Sequence, residues 1–202
     1  MSIVHDKGTG VLQPLNVHFL PALMNTANLA GGTVVIIDIL RASSTIITAL
    51  HNGAKRVIPC GTSDEARKIR EPSQADAVLL GGERGGVLIE GFDCGNSPTE
   101  YAPHRVAGKT IAFTTTNGTQ ALLKSAAAET ILIGAFINRQ AVVDRRRCPR
   151  RSLRGTRGDR SGRGKAAGSR GNAAVALRGA AWVRATAHSP PRARAQPRAP
   201  SD

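Results

Sequence analysis

The chain changes its chemical character at Asp144, and this change limits which residues can build a folded core. Residues 1–144 alternate short β-branched runs with helix-like segments, whereas residues 145–202 contain no Ile, Phe, Tyr or Met. The second part holds 16 of the 28 Lys and Arg residues but only 2 of the 14 Asp and Glu residues. The formal net charge of +14 therefore belongs to the second part, and residues 1–144 are neutral.

Bulk features of the chain exclude several classes of protein. The densest apolar run, residues 33–40, is far shorter than the ~20 residues that span a bilayer, so we expect no membrane segment. The N-terminus lacks a basic start followed by an apolar stretch, so we expect no secretory signal. The three cysteines are scattered and odd in number, which argues against a disulfide framework or a zinc site and favours the reducing cytoplasm.

Residues 1–144 have the pattern of an α/β domain. Residues 34–37 form a continuous apolar run, typical of a strand that is buried on both faces. Residues 42–52 follow as a helix, and Gly53 is placed to end it in the left-handed conformation. Strand–helix alternation with short links predicts a largely parallel sheet. Further strands are predicted at residues 56–60, 77–80, 110–114 and 130–134, and further helices at 63–70 with Ser63 as cap, at 117–128 with Asn117 as cap, and from 141.

Four polar stretches come where predicted strands end, which is where open α/β sheets bind ligands. The first is DILRASST, residues 38–45. A carboxylate at a strand end suits Mg²⁺, and an arginine at the mouth of a helix can clamp a phosphate or carboxylate, so Asp38 and Arg41 are candidates for these roles. The alternative is that Asp38 only caps the helix and pairs with Arg41, and spacing alone does not separate the two interpretations.

The second and third stretches combine charges with glycines. GGERGG, residues 81–86, allows a close approach of the backbone to a ligand, while Glu83 and Arg84 supply opposite charges; the alternative is a flexible surface turn. EGFDCGNSP, residues 90–98, adds two carboxylates and ends in a helix start with Ser97 as its cap; the alternative is simply a well-built loop.

The fourth stretch, TTTNGT at residues 114–119, lies between a strand and a helix. Unpaired backbone N–H groups at a helix start attract anions, and threonine hydroxyls add donors. An ordinary cap needs only Asn117, so three consecutive threonines exceed what the local structure requires. This stretch is therefore predicted to bind phosphate.

The four motifs, in this order and spacing over residues 34–144, resemble the 2-phosphosulfolactate phosphatase family. The resemblance implies a Mg²⁺-dependent hydrolase with a three-layer α/β/α fold. It also implies a small phosphorylated sulfo- or hydroxy-acid as substrate: 2-phospho-3-sulfolactate, whose hydrolysis to 3-sulfolactate belongs to coenzyme M biosynthesis, or another 2-hydroxy acid phosphate.

The resemblance and the residue chemistry point to one pocket. The predicted catalytic residues are Asp38, Arg41 and Glu83, and the role of Asp38 as nucleophile or as metal ligand stays open. The predicted Mg²⁺ ligands are Asp38, Glu83 and Asp93. The predicted substrate- and phosphate-binding residues are Arg84, Asn96, Ser97, Thr115, Thr116, Asn117 and Gly118.

Residues 145–202 depart from this family, whose pattern continues with further strands and helices. Five large apolar residues in this segment cannot offset the entropy of ordering it, so we predict a disordered basic tail behind an incomplete domain, residues 1–144. Its Arg, Pro, Ala and Gly residues are those encoded by G/C-only codons. We therefore hypothesise that the tail is the product of a GC-rich gene read out of frame. On this hypothesis the truncated domain is unstable or inactive.

The alternative for residues 145–202 is a genuine tail that binds nucleic acid. Trp182 alone provides almost no stacking platform, so we expect at most non-specific binding of nucleic acid through the tail. A homo-oligomer is compatible with the sequence.

Overall fold

The computed structural model describes residues 2–4, 13–70, 77–147, 174–177 and 184–186, with side chains over residues 15–70 and 77–144. Strands and helices alternate along most of these ranges. The strands are β1 (Ser2–Val4), β2 (Gln13–Leu15), β3 (Thr33–Ile37), β4 (Arg56–Pro59), β5 (Val78–Arg84), β6 (Val87–Leu88), β7 (Thr110–Thr114), β8 (Thr130–Gly134), β9 (Ala174–Leu177) and β10 (Arg184–Thr186). The α-helices are α1 (Ala42–His51), α2 (Ser63–Ile69), α3 (Pro103–Val106), α4 (Gly118–Lys124) and α5 (Arg139–Arg147).

The strands of the described residues form two four-stranded sheets and the antiparallel pair β1–β2. The first sheet has the order β10-β9-β8-β3, with β3 parallel to β8 and Ile37 opposite Gly134. The second has the order β4-β7-β5-β6, with β7 parallel to both of its neighbours. The antiparallel strands β6, β9 and β10 are added outside these parallel pairs. The predicted α/β class with a mostly parallel arrangement is confirmed.

Helix α1 joins the two sheets in one core. Its Ile46 and Leu50 side chains are buried with Val57 of β4, Phe113 of β7 and Ile133 of β8. Full burial of one such side chain contributes about 1.5–3 kcal/mol. The helix ends where Gly53 adopts a φ of +97°, as the sequence predicts.

Several predicted boundaries and caps differ from the observed ones; α4, for example, ends at Lys124 and not near residue 128, and α5 begins at Arg139 and not at residue 141. Strand β5 continues to Arg84 because it pairs with β7 on one side and with β6 on the other, so the alternative of a flexible turn is wrong for residues 81–84. The cap of α2 is Thr62 and not Ser63: the Thr62 hydroxyl accepts a hydrogen bond from the Glu65 amide at 3.1 Å. Asn117 precedes α4, but its side chain makes no capping hydrogen bond.

The predicted tail lies largely outside the described residues. Helix α5 extends to Arg147, three residues past the predicted boundary. The two described segments beyond it are strands: β9 pairs antiparallel with β8, and β10 with β9. No helix in the described part of the chain is both long and apolar enough to cross a bilayer.

Candidate functional site

The first, second and fourth polar stretches of the sequence meet at the carboxyl ends of β3, β5 and β7. Asp38 follows β3 directly, Glu83 lies near the end of β5, and the turn of residues 115–117 follows β7. Because β5 and β7 are parallel neighbours, their carboxyl ends lie at the same edge of the sheet.

Asp38 is held by the first turn of α1. Its backbone N–H donates to Ser43 Oγ at 2.9 Å, and its carbonyl accepts from the Ser43 amide at 2.8 Å. Its partly buried carboxylate lies near the amides of Ala42 and Arg41. Burial raises the pKa of Asp38; these two amides oppose the shift, and the nearby Glu83 charge adds to it. The backbone of Asp38 is thus tied to the start of α1, and the charge of Glu83 acts on its carboxylate.

Arg41 occupies the position before α1 and is partly exposed. Within the described residues it forms no ion pair with Asp38, and its guanidinium makes no hydrogen bond. The alternative in which Arg41 is neutralised by Asp38 is therefore not what the structure contains.

Glu83 is buried, with 7% of its surface exposed, and its carboxylate binds protein donors. Oε1 accepts from the Thr116 amide at 2.8 Å. Oε2 accepts from the Gly86 amide at 2.7 Å and from the Thr116 hydroxyl at 3.1 Å. Burial alone would raise the pKa of Glu83, but the hydrogen bonds from Thr116 and Gly86 and the Arg84 charge lower it below its ordinary value. Glu83 is thus an ionised carboxylate that ties β5 to the turn after β7.

Arg84, which is exposed at the end of β5, binds the last residue of β7 just before the turn. Its Nη2 donates to the Thr114 hydroxyl at 2.6 Å and to the carbonyl of Gly61 at 3.1 Å, and its Nη1 donates to the Glu83 carbonyl at 2.9 Å. All three acceptors are uncharged oxygens, so the guanidinium charge stays available to attract an anion.

The threonines after β7 have structural roles that the sequence interpretation did not foresee. The amide of Thr115 donates to Thr119 Oγ1 at 2.9 Å, and the amide of Thr119 donates to Thr115 Oγ1 at 3.1 Å. The Thr116 amide and hydroxyl are both bound to Glu83. The expectation that these hydroxyls exceed structural needs is therefore corrected: they shape the turn.

Gly118 brings this turn against Asp38. A Cβ placed on Gly118 would lie 2.5 Å from Ala42 Cβ and 2.9 Å from Asp38 Oδ2, so only glycine fits here. Asn117, the residue before it, is exposed. The predicted phosphate-binding turn and the predicted catalytic carboxylate are therefore in direct contact.

Asp93 has partners of its own. Its Oδ2 accepts from Arg70 Nη1 at 2.6 Å and from the Leu80 amide at 2.7 Å. The structure thus joins Asp93 to Arg70 and to the middle of β5, and not to Asp38. No group of three or more His, Cys, Asp or Glu side chains in the described ranges is arranged to hold a metal ion.

The fit of Mg²⁺ to the site depends on Asp38. Sites that bind Mg²⁺ together with a substrate phosphate use one or two carboxylates. Asp38 fits this requirement, whereas the carboxylates of Glu83 and Asp93 are bound to protein donors.

Asn96 and Ser97 lie in a tightly held loop beside α1. The Asn96 carbonyl accepts from the Thr45 hydroxyl at 3.1 Å, and its buried Oδ1 has no partner among the described residues. Ser97 Oγ lies 2.9 Å from the Thr99 hydroxyl. Sequence reasoning missed Glu100, whose carboxylate accepts from the amides of Gly95 at 2.7 Å and Ser97 at 3.2 Å; the spacing from Ser97 to Glu100 is the signal of a capping box.

The fold and this edge define a class of protein: an α/β domain whose candidate ligand site, with a carboxylate, two arginines and a polar turn, follows parallel strands. The 2-phosphosulpholactate phosphatase family model matches residues 18–151, and the chain belongs to that family.

Proteins named probable 2-phosphosulfolactate phosphatase are similar to the chain. That of Caldanaerobacter subterraneus subsp. tengcongensis is 52% identical over 120 residues, which cover 59% of this chain and 50% of that protein. That of Clostridium acetobutylicum is 53% identical over 113 residues, covering 56% and 48%, and that of Thermotoga petrophila is 50% identical over 112 residues, covering 55% and 47%. The chain spans about half the length of the curated relatives it matches.

Proposed function

We propose that this chain derives from a Mg²⁺-dependent phosphatase that hydrolyses 2-phospho-3-sulfolactate, or a similar 2-hydroxy acid phosphate, to the alcohol and inorganic phosphate. The observation that carries the proposal is the contact between Asp38 and Gly118, which joins a strand-end carboxylate to the polar turn after β7. Membership of the family supports the same reaction.

The substrate would present three anionic groups to one edge of the sheet, and two arginines near this edge supply positive charge. Arg41 lies at the start of α1, and Arg84 lies on β5. An arginine can bind a phosphate or carboxylate through two parallel hydrogen bonds, so these two residues would orient the substrate. The turn of residues 115–118 would form the floor beneath the phosphate.

Asp38 would be the carboxylate nearest to the reacting group. Two hydrogen bonds with Ser43 hold the backbone of Asp38 at the start of α1, so the position of this residue is set before the reaction. Mg²⁺, with Asp38 as its protein ligand, would neutralise charge on the phosphoryl group when bound.

A phosphate-release assay tests the proposal. The intact chain is incubated with 2-phospho-3-sulfolactate, with 2-phospholactate as an analogue that lacks the sulfonate, and in the presence of Mg²⁺ or of a chelator. We expect Mg²⁺-dependent release that Asp38→Asn abolishes. Asp64→Asn is the matched control, because Asp64 is an exposed partner of Arg67 on α2 and its loss should leave turnover unchanged. Equal turnover by Asp38→Asn and the unmodified chain would contradict the assignment.

We also propose that the reaction belongs to coenzyme M biosynthesis and that it takes place in the cytoplasm. Cys60 and Cys94 are unpaired and buried, which is compatible with a reducing compartment. Binding of nucleic acid by the Arg-rich segment stays a prediction.

A further inference from the structure

We propose that Glu83 is a positioning residue: it fixes the turn of residues 116–118 against Asp38 and contacts neither the substrate nor a metal ion. The inference rests on the proposed function and assigns Glu83 a role other than the catalytic and metal-binding roles that its motif predicts.

The first step of the argument is the occupancy of the Glu83 carboxylate. A carboxylate offers about four lone-pair sites. Oε2 receives two hydrogen bonds, from the Gly86 amide and the Thr116 hydroxyl, and Oε1 receives one from the Thr116 amide. Three of these sites are filled and one, on Oε1, stays open, so a metal ion bound through both oxygens would have to displace a donor and leave it without its partner.

The second step is the path from Glu83 to Asp38. Thr116 lies two residues before Gly118, whose backbone abuts Asp38 Oδ2 and Ala42 Cβ. The other side of the turn is fixed by the reciprocal pair of Thr115 and Thr119. With that side fixed, Thr116 determines where the exposed part of the turn lies relative to Asp38.

The third step is the link from the glycine turn after β5 to the same residue. The Gly85 amide donates to Thr116 Oγ1 at 3.2 Å, so the Thr116 hydroxyl is donor to Glu83 and acceptor from Gly85 at once. The GGERGG and TTTNGT motifs are therefore parts of one clamp centred on Glu83 and Thr116.

Steady-state kinetics of Glu83→Gln, Thr116→Val, the double variant and Thr116→Ser test the role. We expect Glu83→Gln to raise KM about ten- to a hundredfold, the range for a lost charge-assisted hydrogen bond, with kcat within about threefold. The Mg²⁺ concentration for half-maximal activity should not change. Thr116→Ser keeps the two hydrogen bonds of the hydroxyl and should therefore show a much smaller rise in KM than Thr116→Val. Asp64→Asn controls for loss of a negative charge.

The double variant shows whether Glu83 affects KM through Thr116 or by contacting the substrate or the metal ion itself. If Glu83 acts through Thr116, Thr116→Val should raise KM in the unmodified chain and have little further effect beside Glu83→Gln. Fully additive effects would overturn the proposal, and so would a tenfold or larger rise in the Mg²⁺ requirement of Glu83→Gln, since either result gives Glu83 a direct role.

Hydrogen exchange keeps the test independent of turnover. Glu83→Gln should accelerate exchange in a peptide covering residues 114–118, while a peptide covering α1 stays unchanged. If the unmodified chain releases no phosphate, the proposed function fails, but hydrogen exchange still tests whether Glu83 fixes the turn. Equal exchange rates in the unmodified chain and in Glu83→Gln would refute this role.

Discussion

At the scale of single residues, the site depends on how closely two backbone segments approach each other. Gly118 lies against Ala42 and Asp38 with no room for a side chain. The sequence predicted Gly118 only as a phosphate-binding residue, whereas the structure gives a steric reason for a glycine at this position. Such a contact joins elements 76 residues apart in sequence, so no local pattern contains it.

Gly118→Ala is expected to damage both folding and activity. Overpacking at a site that cannot expand costs about 1–3 kcal/mol. Chemical denaturation should show this loss, and Ala42→Gly in the same chain should restore part of it because it removes the 2.5 Å contact. Gly61→Ala is the control, since its Cβ would meet only movable side chains, and equal losses for both substitutions would contradict the steric explanation.

Asp38 should make stability depend on pH in a characteristic direction. Its pKa is raised in the folded state, mainly by burial, so ionised Asp38 destabilises the fold at neutral pH and this cost disappears as pH falls through the folded-state pKa. The Tm of Asp38→Asn relative to the unmodified chain should therefore be higher at pH 7 than at pH 3. A Tm difference that does not vary with pH would exclude this linkage.

The buried thiols should be inert in the folded chain. Burial raises the pKa of Cys60 and of Cys94 to about 11, so little thiolate forms at pH 8. Peptide mapping after brief iodoacetamide treatment should find both unmodified in the native chain and both modified in denaturant. Rapid labelling of either thiol in the native chain would contradict this expectation.

At the scale of elements, local patterns predicted the strands well and the contacts between strands poorly. The predicted bounds of β7 and β8 are those observed, because each is an apolar run between clear punctuating residues. The extension of β5 into GGER was missed, since glycines disfavour strands and only pairing with β7 overrides this preference. Pairs such as Arg70 with Asp93 join segments 23 residues apart and have no local signal.

The start of α2 offers a test of one corrected boundary. Thr62→Ala should reduce the free energy of unfolding by about 1 kcal/mol because the Glu65 amide loses its acceptor. Ser63→Ala, one residue later, should change it far less. Urea denaturation of the two variants side by side measures the difference, and a larger loss for Ser63→Ala would restore the original assignment.

A substitution at Asp93 can distinguish a structural role of this residue from a role as a Mg²⁺ ligand. Asp93→Asn removes the charged partner of Arg70 and weakens the bond to the Leu80 amide, so we expect a loss of stability. The Mg²⁺ requirement of phosphate release should stay the same. A shift in that requirement without a loss of stability would instead favour Asp93 as a metal ligand.

At the scale of the whole molecule, the neutral first part of the chain carries the candidate site and every described element except β9, β10 and the end of α5. Large apolar side chains are nevertheless exposed where β3 and β8 end: Leu40 is 89% and Phe136 is 77% exposed, with Ile37 and Ile137 nearby in sequence. Exposed apolar surface of this kind favours association. Composition alone could not predict it, because both residues follow strands that look ordinary in sequence.

Replacing Leu40 and Phe136 together by serine should lower the binding of a hydrophobic dye and reduce aggregation, with little loss of stability. Dye fluorescence and light scattering measure the two effects. Leu50→Ser, at a buried position of α1, is the contrasting variant and should unfold the chain.

Strand β7 is paired on both sides and buried along its whole length. The hydrogen bonds of its backbone amides should therefore break only when the whole domain unfolds. These amides should be among the last to exchange with solvent. The turn of residues 115–118 follows directly on the end of this strand, so one of its two ends is rigidly anchored. An incoming anion would thus meet a floor that is already formed, and its affinity would not be reduced by the entropy of ordering that surface.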